Sequence, residues 1–286
     1  MSFVLAPHET PGAGLNRVIQ EQVAKLSAEC IDAAQDASAF AHKARVRCKR
    51  VRAALRLAKP LMGDKAFWKE NRWWRDQGRL LSELRDAGAR LEALESLRPF
   101  LAARIGTAMT RKLGERFEKE RQVVEGGEAI GQFIEQMNKR SETLIPDLPA
   151  GTREDMMQAL GETFRLGRTA MKAALKDEEP ELLHEWRKQA KYHALQARLM
   201  RLHFPDLLDQ RVAAVRDLAG LLGEVQDIEV VAAGAKGWRE GPKGFFDVLE
   251  ARRNALVTGA RATGAALFAE KPKAWAKQLS PPVLAE

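Results

Sequence analysis

"HKARVRCKRVRAALR", His42 to Arg56, carries seven basic side chains (Lys43, Arg45, Arg47, Lys49, Arg50, Arg52 and Arg56) and no acidic one. A second stretch, "HEWRKQAKYHALQAR" from His184 to Arg198, lines up with it. His42 matches His184, Arg45 matches Arg187, Lys49 matches Lys191 and Arg56 matches Arg198. Downstream, "RDQGRLLSELRD" (Arg75 to Asp86) aligns with "RDLAGLLGEVQD" (Arg216 to Asp227), at an offset of 141 residues against 142 for the first pair. Two matches at nearly one offset point to a tandem duplication. Its halves join near residues 125 to 150, with "PDLPAG" (Pro146 to Gly151) as the clearest linker, so residues 1–145 form one half and 146–286 the other.

Each half reads as helical. Ala, Leu, Arg, Glu and Lys dominate, and these are strong helix formers. Apolar residues fall at helical spacing in Leu15 to Ala37, Ala66 to Leu97 and Arg153 to Leu175, and no alternating β-branched strand with hairpin turns interrupts them. Lys59-Pro60 is expected to close one segment, Pro180 to open the next in its first turn, and Phe204-Pro205 to end that one. The fold class is all-α, each half a helical bundle.

On a helix at about 100° per residue, His42, Arg45, Lys49, Arg52 and Arg56 fall within about 80° of one another. Ala44, Val51, Ala54, Leu55 and Ala58 lie opposite and can face a core. The second copy repeats the ridge with His184, Arg187, Lys191 and Arg198, with Lys188 at its edge, while His193 sits on the far side. A merely solvated face usually mixes signs, because like charges four residues apart oppose the helix. Arg45 with Lys49 and Arg52 with Arg56 are such pairs, which favours a ligand. Arg72, Arg75 and Arg79 share a face in the following segment, where the second half keeps Arg216 and has Arg211 nearby. Trp68, Trp73 and Trp74 are interleaved there and are read as core.

Dense cations suit closely spaced phosphates. Arg grips phosphate oxygens as a planar fork and Lys acts as a mobile point charge. A histidine early in the helix adds a donor near the positive end of the helix dipole. The whole chain agrees, with 47 Lys and Arg against 39 Asp and Glu, a net charge of +8. Hydrophobic residues make up 45%, enough for a substantial core. Cys30 and Cys48 are too few for a disulfide framework or a cysteine-ligated metal, and read as reduced thiols in a cytosolic protein. No run of 18 apolar residues could span a bilayer, and the N-terminus lacks the marks of a secretory signal.

Catalytic signatures are missing. The chain has no Gly-x-x-x-x-Gly-Lys-Ser/Thr loop, no Gly-x-Ser-x-Gly elbow and no His-Glu-x-x-His. Asp86 and Asp227 are read as capping or pairing groups rather than metal ligands. The expectation is therefore a binding protein with no cofactor, no metal and no catalytic residue.

The residues quoted above resemble the CHAD domain, the conserved histidine α-helical domain. Its signature is a histidine-led basic helix in each of two halves, each followed by a Leu-rich helix ending like "LLSELRD" and "LLGEVQD" here. The resemblance implies two four-helix bundles related by a pseudo-twofold axis, with the basic ridges lining a central cleft. It also implies binding of inorganic polyphosphate, and in places association with polyphosphate granules. Where the second half of the family tends to carry a basic residue ten positions after the histidine and an aromatic beside it, this chain has Ala194 and Leu195, so its second ridge should bind more weakly. The rival is nonspecific nucleic-acid binding. Ridges of almost pure Arg, Lys and His, in a chain with one tyrosine, address phosphate rather than bases.

Overall fold

The computed structural model describes residues 3–33, 35–121, 127–140, 143, 147–239 and 241–279, with the side chains of 83–87 and 121 outside it. Among the described residues the chain is all-helical: α1 (Pro11–Ile31), α2 (Ala37–Leu80), α3 (Ser82–Ile105), α4 (Thr107–Arg121), α5 (Gly127–Lys139), α6 (Arg153–Asp177), α7 (Pro180–Met200), α8 (Pro205–Gly234), α9 (Phe245–Leu267) and α10 (Pro272–Gln278). None of these is long and apolar enough to cross a membrane.

The helix starts follow local chemistry. Thr10 and Asp36 accept from the backbone N–H groups of Ala13 and Ala39, satisfying donors that the first turn leaves open. Thr152 and Asp155 cap α6 reciprocally. Pro11, Pro180, Pro205 and Pro272 occupy first-turn positions, where a missing N–H costs nothing; Pro180 opens α7 as expected, while α7 already ends at Met200 and Pro205 opens α8 rather than closing α7.

Three boundaries differ from the sequence reading. α1 ends at Ile31, and α2 begins afresh at Ala37. The helix runs on past Lys59-Pro60 to Gly63, whose φ of 74° and ψ of 164° break it. Pro60 lies in the last turn before that break, where it removes the bond to the Arg56 carbonyl but does not itself end the helix. The Ala66 to Leu97 run is likewise split, at Leu81, where α2 stops and α3 starts.

Gly63 makes α2 a helical hairpin of two limbs, 37–62 and 64–80. Its cross-limb contacts nest about residues 61 and 62: Lys59 with Asp64, Arg52 with Asn71, and Arg45 with the Gly78 carbonyl. In α7 and α8 the connection falls at 201–204, and Arg211 reaches back to His193 across it.

α6 packs on α7, α7 on α8 and α8 on α9, while α1 packs on α2 and α3 on α4. Across these groups α2 meets α6 and α7, and α3 meets α8. Gln196 of α7 donates to the Ala53 carbonyl of α2 at 3.2 Å. One cluster of buried side chains runs through all of it, including Trp74, Trp186, Phe117 and Phe164. Close approaches need glycine: Trp186 fills the place where Gly264 would carry a Cβ, and Phe117 does so at Gly234. The joining region also holds α5, which packs on α2 through Phe133 against Phe40 and an Arg140–Glu70 ion pair.

Candidate functional site

The hairpin fixes the first ridge. Ala41, Ala44, Cys48, Val51, Ala54, Leu55 and Ala58 are buried, and the cations project from the other face. His42 is exposed, its Nδ1 3.8 Å from Glu92 Oε1. Arg45 is half-buried and donates from Nη1 to the Gly78 carbonyl and to Ser82 Oγ at 2.8 Å. That guanidinium meets carbonyls left open at the end of the second limb, where the helix dipole favours a cation. Lys49 is exposed, though engaged within the chain.

Arg52 and Arg56 are held differently from the simple ridge. Arg52 donates from Nε to Asn71 Oδ1 at 3.1 Å, and its guanidinium lies 5.7 Å from the centroid of Tyr192 in α7. Arg56 lies over the same ring at 4.2 Å and over Phe67 at 5.9 Å. Tyr192 is buried beneath them. Burial, reinforced by the charges of Arg56 and Arg75, pushes the Arg52 pKa down. Both arginines thus join α2 to α7 by cation–π contact as well as carrying charge.

The second limb of α2 places Arg72 and Arg79 in solvent, while Arg75 grips Asp76 through two hydrogen bonds of 2.8 and 3.2 Å. Arg75 first, then Arg79 and Arg72, hold the Asp76 carboxyl below its usual range. Trp74 is core as expected, Trp73 is half-buried under Arg140, and Trp68 is 51% exposed, contrary to the core reading.

On α7, His184 is exposed with Nδ1 against Gln226 Oε1, Lys188 is paired with Glu185, and Lys191 is half-buried. Arg187 is half-buried beside Gly223, whose Cβ position lies 3.7 Å from Nη2. Arg198 is exposed, and Arg216 is 79% exposed with Asp217 4.0 Å away. Arg187, Lys191 and Asp227 are each engaged within the chain, and Asp86 lies outside the described side chains.

Sequence periodicity placed the ridge cations together but could not see acidic partners on other helices. Arg47, inside the all-basic stretch, is paired with Glu29 of α1 at 2.7 Å. It also missed Arg50, whose guanidinium rests on Phe3. Burial, then the charges of Arg47 and Arg198, depress the Arg50 pKa. Arg50 and Arg198 therefore bring like charge together where α2 meets α7.

His193 and Arg211 are structural. His193 is fully buried, and burial followed by the Arg211 charge holds its pKa well below 6.5. Its Nε2 accepts from Arg211 Nε at 2.9 Å, and because arginine only donates, the ring proton sits on Nδ1, toward Thr163 Oγ1. Arg211 lies 4.8 Å from Phe164 and 4.7 Å from Trp275, and burial lowers its pKa to about 10. Its cation is enclosed by aromatic rings rather than presented to a ligand.

The CHAD domain family matches residues 17–235, most of the chain and both basic helices. The chain belongs to the CHAD family. No curated protein compared with it matches. Among the described residues no group of three or more His, Cys, Asp or Glu side chains is arranged to hold a metal ion.

Proposed function

We propose that this CHAD protein binds inorganic polyphosphate through the cations of α2 and α7 and does not transform it. The halves, residues 1–145 and 146–286, are read as two four-helix bundles about a pseudo-twofold axis, with the ligand in the basic cleft between them. The observation that carries this reading is the equivalence of Arg45 and Arg187. Arg45 touches Ser82 and Arg187 lies against Gly223, positions 141 residues apart, on two helices that pack directly on each other.

Like-charge proximity supports a polyanion. After burial and Arg47, the charge of Arg198 in α7 also helps depress the Arg50 pKa in α2, and a phosphate chain laid there relieves that repulsion while gaining bidentate contacts. His42, Lys49, Arg72, Arg79, His184, Lys188, Arg198 and Arg216 are the exposed side chains of this set, with Arg45, Arg75, Arg187 and Lys191 half-exposed behind them. Arg52 and Arg56 contribute mainly potential, since Tyr192 holds them. The proposed setting is the cytoplasm, with polyphosphate granules as the place of deployment.

Nonspecific nucleic-acid binding is the alternative outcome. Equilibrium binding of long-chain polyphosphate, single-stranded DNA and duplex DNA at two salt concentrations separates them. Polyphosphate is expected to stay bound at salt that releases both DNAs, and to weaken about tenfold in Lys49→Gln/Arg198→Gln. Equal affinities lost together as salt rises would refute the assignment.

A further inference from the structure

Beyond the ridge, the α2 turn, α6 and α10 enclose a groove of about 1050 Å³. Pro60, Met157, Leu166 and the ring of Trp68 give it apolar walls. Trp68 is half exposed, and Lys59 Nζ stands 5.8 Å from its centroid. Arg56 belongs to both places: it is the last cation of the ridge and it lines this groove. Its Nε is buried and has no hydrogen-bond partner among the described residues. The groove therefore places the last ridge cation, Lys59 and the ring of Trp68 along one lining.

We propose that this groove takes the base of a nucleoside polyphosphate, stacked on Trp68, whose phosphates run past Lys59 and Arg56 onto the α2 ridge. The inference rests on the ridge binding phosphates and adds a head group to that ligand. The chemistry of the walls fits such a bipartite molecule. The α2 side supplies Arg56 and Lys59, the latter resting over Phe67 and Trp68 and paired with Asp64 in an exposed ion pair that a phosphate displaces at little cost. The α6 side supplies Glu154 and Gln158, acceptors and donors for the edge of a base. Trp68 is 51% exposed, with Lys59 over its ring and Phe67 against its edge, and the ring surface left to solvent can stack on any base, so the groove selects for an aromatic head without fixing which base.

The test compares ATP with inorganic tripolyphosphate by equilibrium binding to the full chain, with long-chain polyphosphate alongside. ATP is expected to bind roughly tenfold or more tighter than tripolyphosphate, within the range for one base–aromatic stack. Trp68→Ala should erase that advantage and leave long-chain polyphosphate affinity unchanged. Phe246→Ala, at an equally exposed aromatic outside the groove, should alter neither. Equal binding of ATP and tripolyphosphate by the wild type overturns the proposal while leaving the polyphosphate reading intact. Loss of long-chain polyphosphate binding in the wild type refutes the ridge reading instead. A single-stranded oligonucleotide that binds far more tightly than ATP through Trp68 also overturns it, in favour of nucleic acid.

Discussion

Replacing Tyr192 by leucine keeps an apolar side chain of roughly similar bulk between α2 and α7 but removes the π-face beneath Arg52 and Arg56. The Arg56 guanidinium is 4.2 Å from the ring centroid and Arg52 is 5.7 Å away, over a ring that is 5% exposed. A desolvated cation–π contact is worth up to about 2 kcal/mol and a looser one about 0.5–1 kcal/mol. The substitution should cost about 1–3 kcal/mol, on top of less than about 1.5 kcal/mol for the change of shape. Urea denaturation of wild type, Tyr192→Leu, Arg56→Met and the double variant isolates the pair, and a coupling energy of about 1–2 kcal/mol is expected. Tyr192→Phe, which keeps the face, should match the wild type within about 0.5 kcal/mol. A coupling below about 0.3 kcal/mol would refute the idea that these arginines cement the two helices, and would return both to the free ridge.

Arg198→Gln should weaken polyphosphate binding yet leave the denaturation midpoint unchanged or slightly raised, because it removes a like charge facing Arg50; a lowered midpoint in urea would contradict this. Gly63→Ala should cost about 1–3 kcal/mol from backbone strain alone, since no atom lies within 4 Å of its Cβ position, and matched urea curves with an unchanged slope check it. His193 should make stability fall on acidification. The unfolded chain takes a proton near pH 6.5 that the buried ring refuses, so wild type should lose about 1 kcal/mol per pH unit below that value relative to His193→Gln. Parallel stability profiles for the two proteins between pH 7 and 5 would rule that out.

The basic helices α2 and α7 were readable because a one-sided charge pattern at helical spacing survives as text, and their buried faces follow from it. What one helix cannot encode is what packs across from it. Arg52 and Arg56 fell on the ridge by periodicity, yet Tyr192, more than 130 residues further on, takes their planar faces. The acid-free stretch suggested unpaired charge, while Glu29 and Glu92 arrive from α1 and α3. Pro60 drew attention as a helix stop, but the break needed a residue free to take positive φ, and that is Gly63. Trp68 faces solvent because it sits about 100° round the helix from Phe67 and about 120° from Trp74, off the face those two bury.

The nested contacts of the α2 hairpin also bear on the order of assembly. Lys59 meets Asp64 across five residues, Arg52 meets Asn71 across 19 and Arg45 reaches Gly78 across 33, so each closure shortens the loop left for the next. The bond from Gln196 to Ala53 spans 143 residues and gains nothing from such zipping. Local hairpins should therefore close first and the junction between α2 and α7 last. The like charges of Arg50 and Arg198 oppose that final step, so an anion present during folding should speed it.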